Sequence, residues 1–344
     1  MKKKILVTGG TGYIGSHTTV ELINDGFDVV IIDNLYNSEA EVVDRIEKIT
    51  GVRPELEVFD LVDAQKVDEF FRKHNDISAI IHFAAYKAVS ESVFKPLDYY
   101  RNNLGSLINL LQAMKEHSVP NLVFSSSCTV YGQPGKLPVT EEAPLQPPTS
   151  PYGNTKQVGE EIIRDTAFSD KNLKAIALRY FNPVGAHPSA LIGELPRGVP
   201  ENLVPYITQT AYGLREELKV FGNDYDTPDG SCIRDYLHVV DLAKAHVVAV
   251  RRLVEEKTRK NYEVYNLGTG NGVSVLEAIE SFERVSGVKL KYRIVDRRPG
   301  DIEKIWADPS FANKELGWKT ISTLDEAMKT AWDWEKKIRD KNLQ

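Results

Sequence analysis

Cysteine is nearly missing from this 344-residue chain, which has only Cys128 and Cys232, 104 residues apart. Two such thiols cannot build a disulfide framework or a CxxC metal or redox pair, and they point to a reducing, cytoplasmic setting. A basic excess is missing too. Lys plus Arg number 43 against 49 Asp plus Glu, a formal charge of −6. That balance speaks against a nucleic-acid partner, which selects a basic stripe or face. There is no run of 18 apolar residues, so neither a spanning helix nor a membrane partner is expected. Three lysines follow Met1, but only Ile5-Leu6-Val7 comes before Thr8-Gly9-Gly10. A signal-peptide core needs about 7–15 apolar residues, so none is expected. Internal repeats and low-complexity segments are absent. His17, His82, His187, His238 and His246 show no metal-ligand spacing, and no metal is expected.

What is present is an ordinary globular composition, 42% hydrophobic and 27% charged. The length suits two lobes. Short apolar runs occur at Ile5–Val7, Val29–Ile32, Leu56–Phe59, Ala79–Phe83, Leu122–Phe124 and Ala175–Leu178. They lack alternation, as strands buried on both faces of a parallel sheet do. Helix-period stretches lie between them, for example through Leu104, Leu107, Ile108, Leu111 and Met114. The pattern predicts an α/β fold, a Rossmann-like doubly wound parallel sheet, over residues 1–181. After Phe181 five prolines fall between Pro183 and Pro205, and a smaller mixed α/β lobe is expected over 182–344. Val239–Leu253 returns to helix period and Glu263–Leu267 is strand-like, so segments near 236–267 are expected to rejoin the first lobe. The polar end, Lys336–Gln344, is expected to fray.

The first strand runs into Gly9-Gly10-Thr11-Gly12-Tyr13-Ile14-Gly15, a G-x-x-G-x-x-G turn. Gly9 permits the tight turn, Gly12 lets backbone N–H groups approach a pyrophosphate, and Gly15 lets the next helix pack closely. Asp33 follows 18 residues after Gly15, at the end of the second strand. A carboxylate there accepts from both ribose hydroxyls and repels a 2′-phosphate, so NAD is expected rather than NADP. A P-loop is excluded because Ser16-His17 replaces its Lys-Ser/Thr. Asp60 ends the third strand, either near an adenine edge or as an ordinary polar strand end.

In Thr149-Ser150-Pro151-Tyr152-Gly153-Asn154-Thr155-Lys156, Ser150 is a good N-cap and Pro151 a good first helical residue. Tyr152 and Lys156 then share one face at i and i+4. A tyrosine near pKa 10 is a poor base at neutral pH, and an adjacent ammonium would stabilise its phenolate. Ser125-Ser126-Ser127 ends the strand Leu122–Phe124, on the side where α/β sites are built, and supplies a hydroxyl for a substrate oxygen. A hydride acceptor, a base and a hydroxyl together make a dehydrogenation site.

These stretches, with His82–Ala88, Asn102-Asn103, Arg179–Pro188, Phe221–Tyr225, Arg234–Leu242 and Arg298–Asp301, resemble the extended short-chain dehydrogenase/reductase superfamily and, within it, the UDP-galactose 4-epimerase family. The resemblance runs from Lys4 to about Trp334. It implies a catalytic trio of Ser127, Tyr152 and Lys156. It implies that Gly9, Gly12, Tyr13, Ile14, Gly15, Asp33, Asn34, Asp60, Leu61, Phe83, Ala84, Lys87, Asn102, Tyr152, Lys156 and Tyr180 line a tightly held NAD. It places Lys87, Ser127, Tyr152, Phe181, Asn182, Asn202, Leu203, Arg234, Tyr236, Arg298, Asp301 and Ile305 around a UDP-sugar. The implied reaction oxidises the sugar at C4, lets the 4-keto sugar turn about its diphosphate link, and returns the hydride to the other face. The family also implies a homodimer joined through helices near Leu97–His117 and Pro151–Phe168.

A 4,6-dehydratase of the superfamily needs an Asp-Glu pair after the serine. Cys128-Thr129 stands there instead and cannot transfer protons at C5 and C6. A decarboxylase would want Glu at Thr129, and a dead-site sensor would commonly have lost Tyr152 or Lys156. Cys128 reads as a small core residue more readily than a redox group, and His246 as a packed helix residue. Ile305, four residues after Asp301, takes a wall position filled by Tyr in relatives restricted to glucose and galactose, and by a small residue in those accepting N-acetylhexosamines. UDP-glucose and UDP-galactose are the expected pair, with the N-acetylated sugars as the alternative.

Overall fold

A computed structural model of the chain describes residues 2–298 and 301–340. Six strands and six helices alternate through the first lobe: β1 Lys4–Thr8, α1 Tyr13–Asn24, β2 Asp28–Asp33, α2 Val42–Thr50, β3 Glu55–Val58, α3 Ala64–Lys73, β4 Ile77–His82, α4 Val89–Phe94, α5 Pro96–Glu116, β5 Asn121–Ser125, α6 Pro151–Ser169 and β6 Lys174–Tyr180. α4 leads directly into α5, and a short 3₁₀ turn, Cys128–Tyr131, follows β5. The chain then leaves through β7 Asn182–Val184, α7 Leu203–Tyr212, β8 Leu218–Phe221, β9 Ile233–Arg234 and β10 Tyr236–His238. It returns with α8 Val239–Val254 and β11 Tyr262–Leu267. It ends in β12 Val273–Ser274, α9 Val275–Ser286, β13 Tyr292–Val295, β14 Lys304–Ile305, α10 Ser310–Leu316 and α11 Leu324–Arg339.

The main sheet has seven strands in the order β11-β6-β5-β4-β1-β2-β3, every neighbouring pair parallel. This is the doubly wound arrangement, whose order reverses beside β1. Successive residues of a strand face opposite sides. Ile5 and Val7 therefore pack in one core with α1, α2 and α8, while Leu6 packs in another with α3, α5 and α6. β11 pairs with β6 in register, Tyr262 to Ala175 through Leu267 to Tyr180. β3 departs from the doubly buried reading of Leu56–Phe59. It is the edge strand, and Val58 is more than half exposed.

The second lobe has its own core, where Ile207, Val220, Phe282, Met328 and Trp332 meet. Its small sheets pair β7 with β10, β8 with β13, and β9 with β12 and β14. A compact cluster of Val130, Tyr131, Val139, Phe181, Ile305 and Ala307 lies where the lobes meet. The polar C-terminal stretch is better ordered than its composition suggests. Glu326 and Thr323 close a capping box, and α11 stays helical to Arg339. Residues 341–344 of the tail expected to fray lie outside the described residues, as do Pro299 and Gly300 of the stretch Arg298–Asp301. Among the described residues no helix is long and apolar enough to cross a membrane.

Candidate active site

The glycine turn is built by exclusion. Gly9 has φ +71°, and a Cβ on it would come within 2.9 Å of the Ala84 backbone nitrogen. A Cβ on Gly15 would lie 2.1 Å from the Gly9 carbonyl oxygen, far inside contact distance. Helix α1 begins after Gly12 without a side-chain cap. The first N–H groups of a helix have no partner within it, so this end presents bare donors and the positive end of the helix dipole. That donor set fits a dinucleotide pyrophosphate.

Asp33 is buried at the end of β2, where Oδ2 accepts from Thr11 N (3.1 Å) and Oδ1 from Leu35 N (2.9 Å) and the Ser38 hydroxyl (3.1 Å). A carboxylate accepts about four such bonds, so capacity for a ribose hydroxyl remains. Asp60 accepts from Asn34 Nδ2 at 3.1 Å and Val62 N at 2.9 Å, which ties the ends of β2 and β3 together beside buried Leu61. Phe83 and Ala84 continue β4 past the turn, with Phe83 N donating to Thr8 O at 3.0 Å. Ile14 packs into the core, so its backbone is the part available to the turn. The Tyr13 hydroxyl donates to Gly185 O at 2.6 Å and so binds the turn to the second lobe. Asn102 Nδ2 reaches Asn103 Oδ1, and Asn103 in turn holds Tyr86 and Thr155.

The helix start at Ser150 is as read. Its hydroxyl accepts from Gly153 N at 3.1 Å, and Pro151 opens α6. Tyr152 and Lys156 are both buried on the first turns. Lys156 Nζ donates to the Ser125 carbonyl at 2.6 Å and lies 4.9 Å from the Phe124 ring centre and 5.9 Å from that of Tyr152. The Ser125 hydroxyl pairs with Tyr180 OH at 2.9 Å, and Ser127 Oγ accepts from Thr129 N at 3.2 Å.

Electrostatics here run against the spacing argument. Burial raises the Tyr152 hydroxyl well above its ordinary 10, with Tyr180 and Cys128 adding to the rise and a hydrogen bond to Ser127 opposing it. Burial also pulls the Lys156 ammonium down from 10.5 to about 8, against the attraction of Glu160. The spacing argument counted the attraction of an ammonium for a phenolate and left out the desolvation of both. Cys128 is inert for the same reason, its thiol pushed up to about 12 by burial. His246 is fully buried and donates Nδ1–H to Leu242 O, a packed histidine as expected.

Across the cleft, Asp301 Oδ1 accepts from Arg234 Nη2 at 3.2 Å and Arg298 Nη2 at 3.0 Å. One carboxylate thus holds two guanidinium groups side by side, a pairing able to receive a diphosphate. Arg298 also lies 5.5 Å from the centre of the Phe221 ring, an exposed aromatic that was not among the assigned residues. Asn182 N bonds to Asp235 O, and Tyr236 is buried with its hydroxyl raised by desolvation. Asn202 stands at the start of α7 ahead of Leu203 without a side-chain capping bond, and its Nδ2 donates to Glu194 Oε1 at 2.7 Å. Lys87 Nζ approaches the same oxygen at 3.3 Å. Phe181 and Ile305 belong to the buried cluster at the lobe junction.

Glu160 and Arg179, a buried pair behind the serines, escaped the residue reading. Two signals were present: Glu160 falls one turn after Lys156, and Arg179 interrupts an apolar strand.

The family described as GDP-mannose 4,6 dehydratase matches residues 6–331. The human UDP-glucose 4-epimerase is 51% identical over 342 residues, 98% of this chain and 97% of that protein. The Bacillus subtilis protein of the same name is 51% identical over 331 residues, 96% of each. A solved UDP-glucose-4-epimerase from Stenotrophomonas maltophila, with bound NAD and formylated UDP-arabinopyranose, superposes with a TM-score of 0.95 at 48% identity, covering 98% of this chain and 99% of that one. The Bifidobacterium longum UDP-glucose 4-epimerase, in complex with NAD+ and UDP, gives 0.93 at 47%, covering 99% of this chain and all of that one.

Proposed function

The chain belongs to the UDP-glucose 4-epimerase family of the extended short-chain dehydrogenases/reductases, and on that premise we propose that Ser127, Tyr152 and Lys156 carry its reaction. It is an isomerase that interconverts UDP-galactose and UDP-glucose through transient oxidation at sugar C4. NAD, when bound, supplies the acceptor and donor of the C4 hydride. Tyr152 takes and returns the proton of the 4-hydroxyl, and Ser127 hydrogen-bonds the same oxygen. Lys156 adds positive charge that favours the deprotonated tyrosine. Burial alone holds Tyr152 protonated, so the base forms only when bound ligands bring further positive charge or hydrogen-bond donors to it. Asp33 and the α1 N-terminus hold the dinucleotide. Arg234 and Arg298 hold the diphosphate, with Asp301, Asn182, Asn202 and Leu203 at the nucleoside end. The hexose is held less firmly than the diphosphate and can present either face. Residues 1–181 with 239–267 then form the cofactor lobe, and the remainder the sugar-nucleotide lobe.

One observation carries this reading: Lys156 Nζ on the Ser125 carbonyl and 5.9 Å from the centre of the Tyr152 ring, at the sheet end that also carries the open α1 terminus. The purified protein should convert UDP-galactose without added NAD. Tyr152→Phe should keep its fold and NAD and lose on the order of 10²–10⁴ in kcat. Near-wild-type turnover would remove Tyr152 from its role.

The assembly we propose is a cytoplasmic homodimer. Phe94, Leu97 and Phe168 are 84%, 76% and 79% exposed at the ends of α4, α5 and α6. Large apolar groups that are so open mark an interaction face. Light scattering on Leu97→Glu/Phe168→Glu should find a monomer, and an unchanged dimer would move the interface elsewhere.

A further inference from the structure

The three serines that end β5 do three different things. The carbonyl of Ser125 takes Lys156 and its hydroxyl takes Tyr180. The Ser127 hydroxyl accepts from Thr129 N. Ser126 points elsewhere and donates its hydroxyl to Glu160 Oε1. Glu160 binds Arg179 through Nε, at 2.9 and 3.2 Å, and through Nη2. It also accepts from Tyr262 OH at 3.2 Å. Arg179 Nη1 reaches Tyr131 OH at 2.9 Å, and that hydroxyl donates to Asn266 Oδ1 at 2.6 Å. All these groups are buried or nearly so.

A buried ion pair is a poor device for stability alone, since apolar residues of the same volume often do as well. This pair stands at one particular place. Its carboxylate is one helical turn from Lys156 and bonded to the residue before Ser127. We infer that Glu160, clamped by Arg179, is a positioning residue for the epimerase reaction. It holds Ser126, and through the shared backbone the Ser127 hydroxyl. The inference rests on the roles given above to Ser127 and Lys156.

Few other charges face Lys156. Tyr152 and Glu160 come from its own helix. β5 offers the Ser125 carbonyl and the Phe124 ring. His82 on β4 is held neutral by burial, its pKa down to about 3. Arg179 on β6 is already neutralised by Glu160. Among the described residues Glu160 and Arg179 thus stand beside the ammonium as a net-neutral pair.

Glu160→Gln alone leaves Arg179 unpaired and can fail to fold, so the test is the double variant Glu160→Gln/Arg179→Met. It should fold, retain NAD and keep KM for UDP-galactose within about twofold. Its kcat should fall on the order of 10- to 100-fold through misplacement of the serine. The alkaline limb of kcat against pH should stay in place, because the pair is removed as a whole and the net charge near Lys156 does not change. A wild-type kcat overturns the inference. So does a kcat that falls only together with NAD content or with a KM raised more than twofold, which marks a purely structural pair. Tyr152→Phe measured alongside separates the two readings. If it retains turnover, the catalytic trio is wrong; if it does not and the double variant behaves as wild type, only Glu160 is wrong.

Discussion

The two halves of the cleft are made of different material. On the first-lobe side the turn from Gly9 to Gly15 leaves backbone N–H donors open, and a Cβ on Gly9 or Gly15 would collide with backbone. On the second-lobe side the groups are side chains already engaged with one another: Arg234 and Arg298 with Asp301, and Asn202 with Glu194. A backbone cradle exists before the ligand arrives, so binding loses little to reorganisation. Paired side chains must exchange partners, and each exchange sets the old partner's attraction against the new one. The contrast suits a cofactor kept through many turnovers and a sugar nucleotide released after each.

Three substitutions put pressure on that contrast. The largest effect is expected from Gly15→Ala. A methyl 2.1 Å from the Gly9 carbonyl forces α1 away from β1, an overpacking of about 3 kcal/mol or more. Purified protein should contain no NAD and show no turnover. Stoichiometric NAD in this variant, read by absorbance after acid release, would mean that the cradle is not rigid.

Lys156→Met should abolish activity and yet stabilise the fold. The folded ammonium titrates at about 8 against an ordinary 10.5, so between those values the unfolded chain holds the extra proton. Wild-type stability should therefore rise with pH across that window, while below pH 8 the full penalty of about 3 kcal/mol is present. Denaturant titration at pH 7 should find the variant more stable, with the gap closing toward pH 10. A variant less stable at pH 7 would show that the bond to Ser125 outweighs the desolvation.

Asp301→Asn is the mildest. It loosens Arg234 and Arg298 and leaves the first lobe alone. KM for UDP-galactose should rise on the order of tenfold, the weight of a charged hydrogen bond, with NAD content unchanged. Loss of NAD in this variant would break the division between the halves.

Much of the first lobe was legible because its signals are local. The turn from Gly9 to Gly15 needs only its own backbone and the strand beside it. The cap at Ser150 and the proline after it predict where α6 starts, and the hydrogen bond to Gly153 N lies three residues away. Asp33 could be placed because strand ends in parallel sheets lie on one side. β3 was read as buried because apolar content does not tell an edge from a centre, and Val58 has no neighbour to cover it. Glu160 and Arg179 stand 19 residues apart on different elements, and Asn266 a further 87 residues on, so no spacing joins them. Ile305 was placed by its distance from Asp301, but its burial against Phe181 and Tyr131 depends on the second lobe folding back.

By itself the sequence determined the dehydrogenation chemistry: a glycine turn, an acid after the second strand, and a tyrosine and lysine one helical turn apart, all short-range features of a chain with fixed backbone geometry. Only the tertiary structure decided the charge those groups carry. Tyr152 is raised and Lys156 lowered because strands, helices and the second lobe together strip water from them. Desolvation sums over everything nearby in space, wherever it lies along the chain.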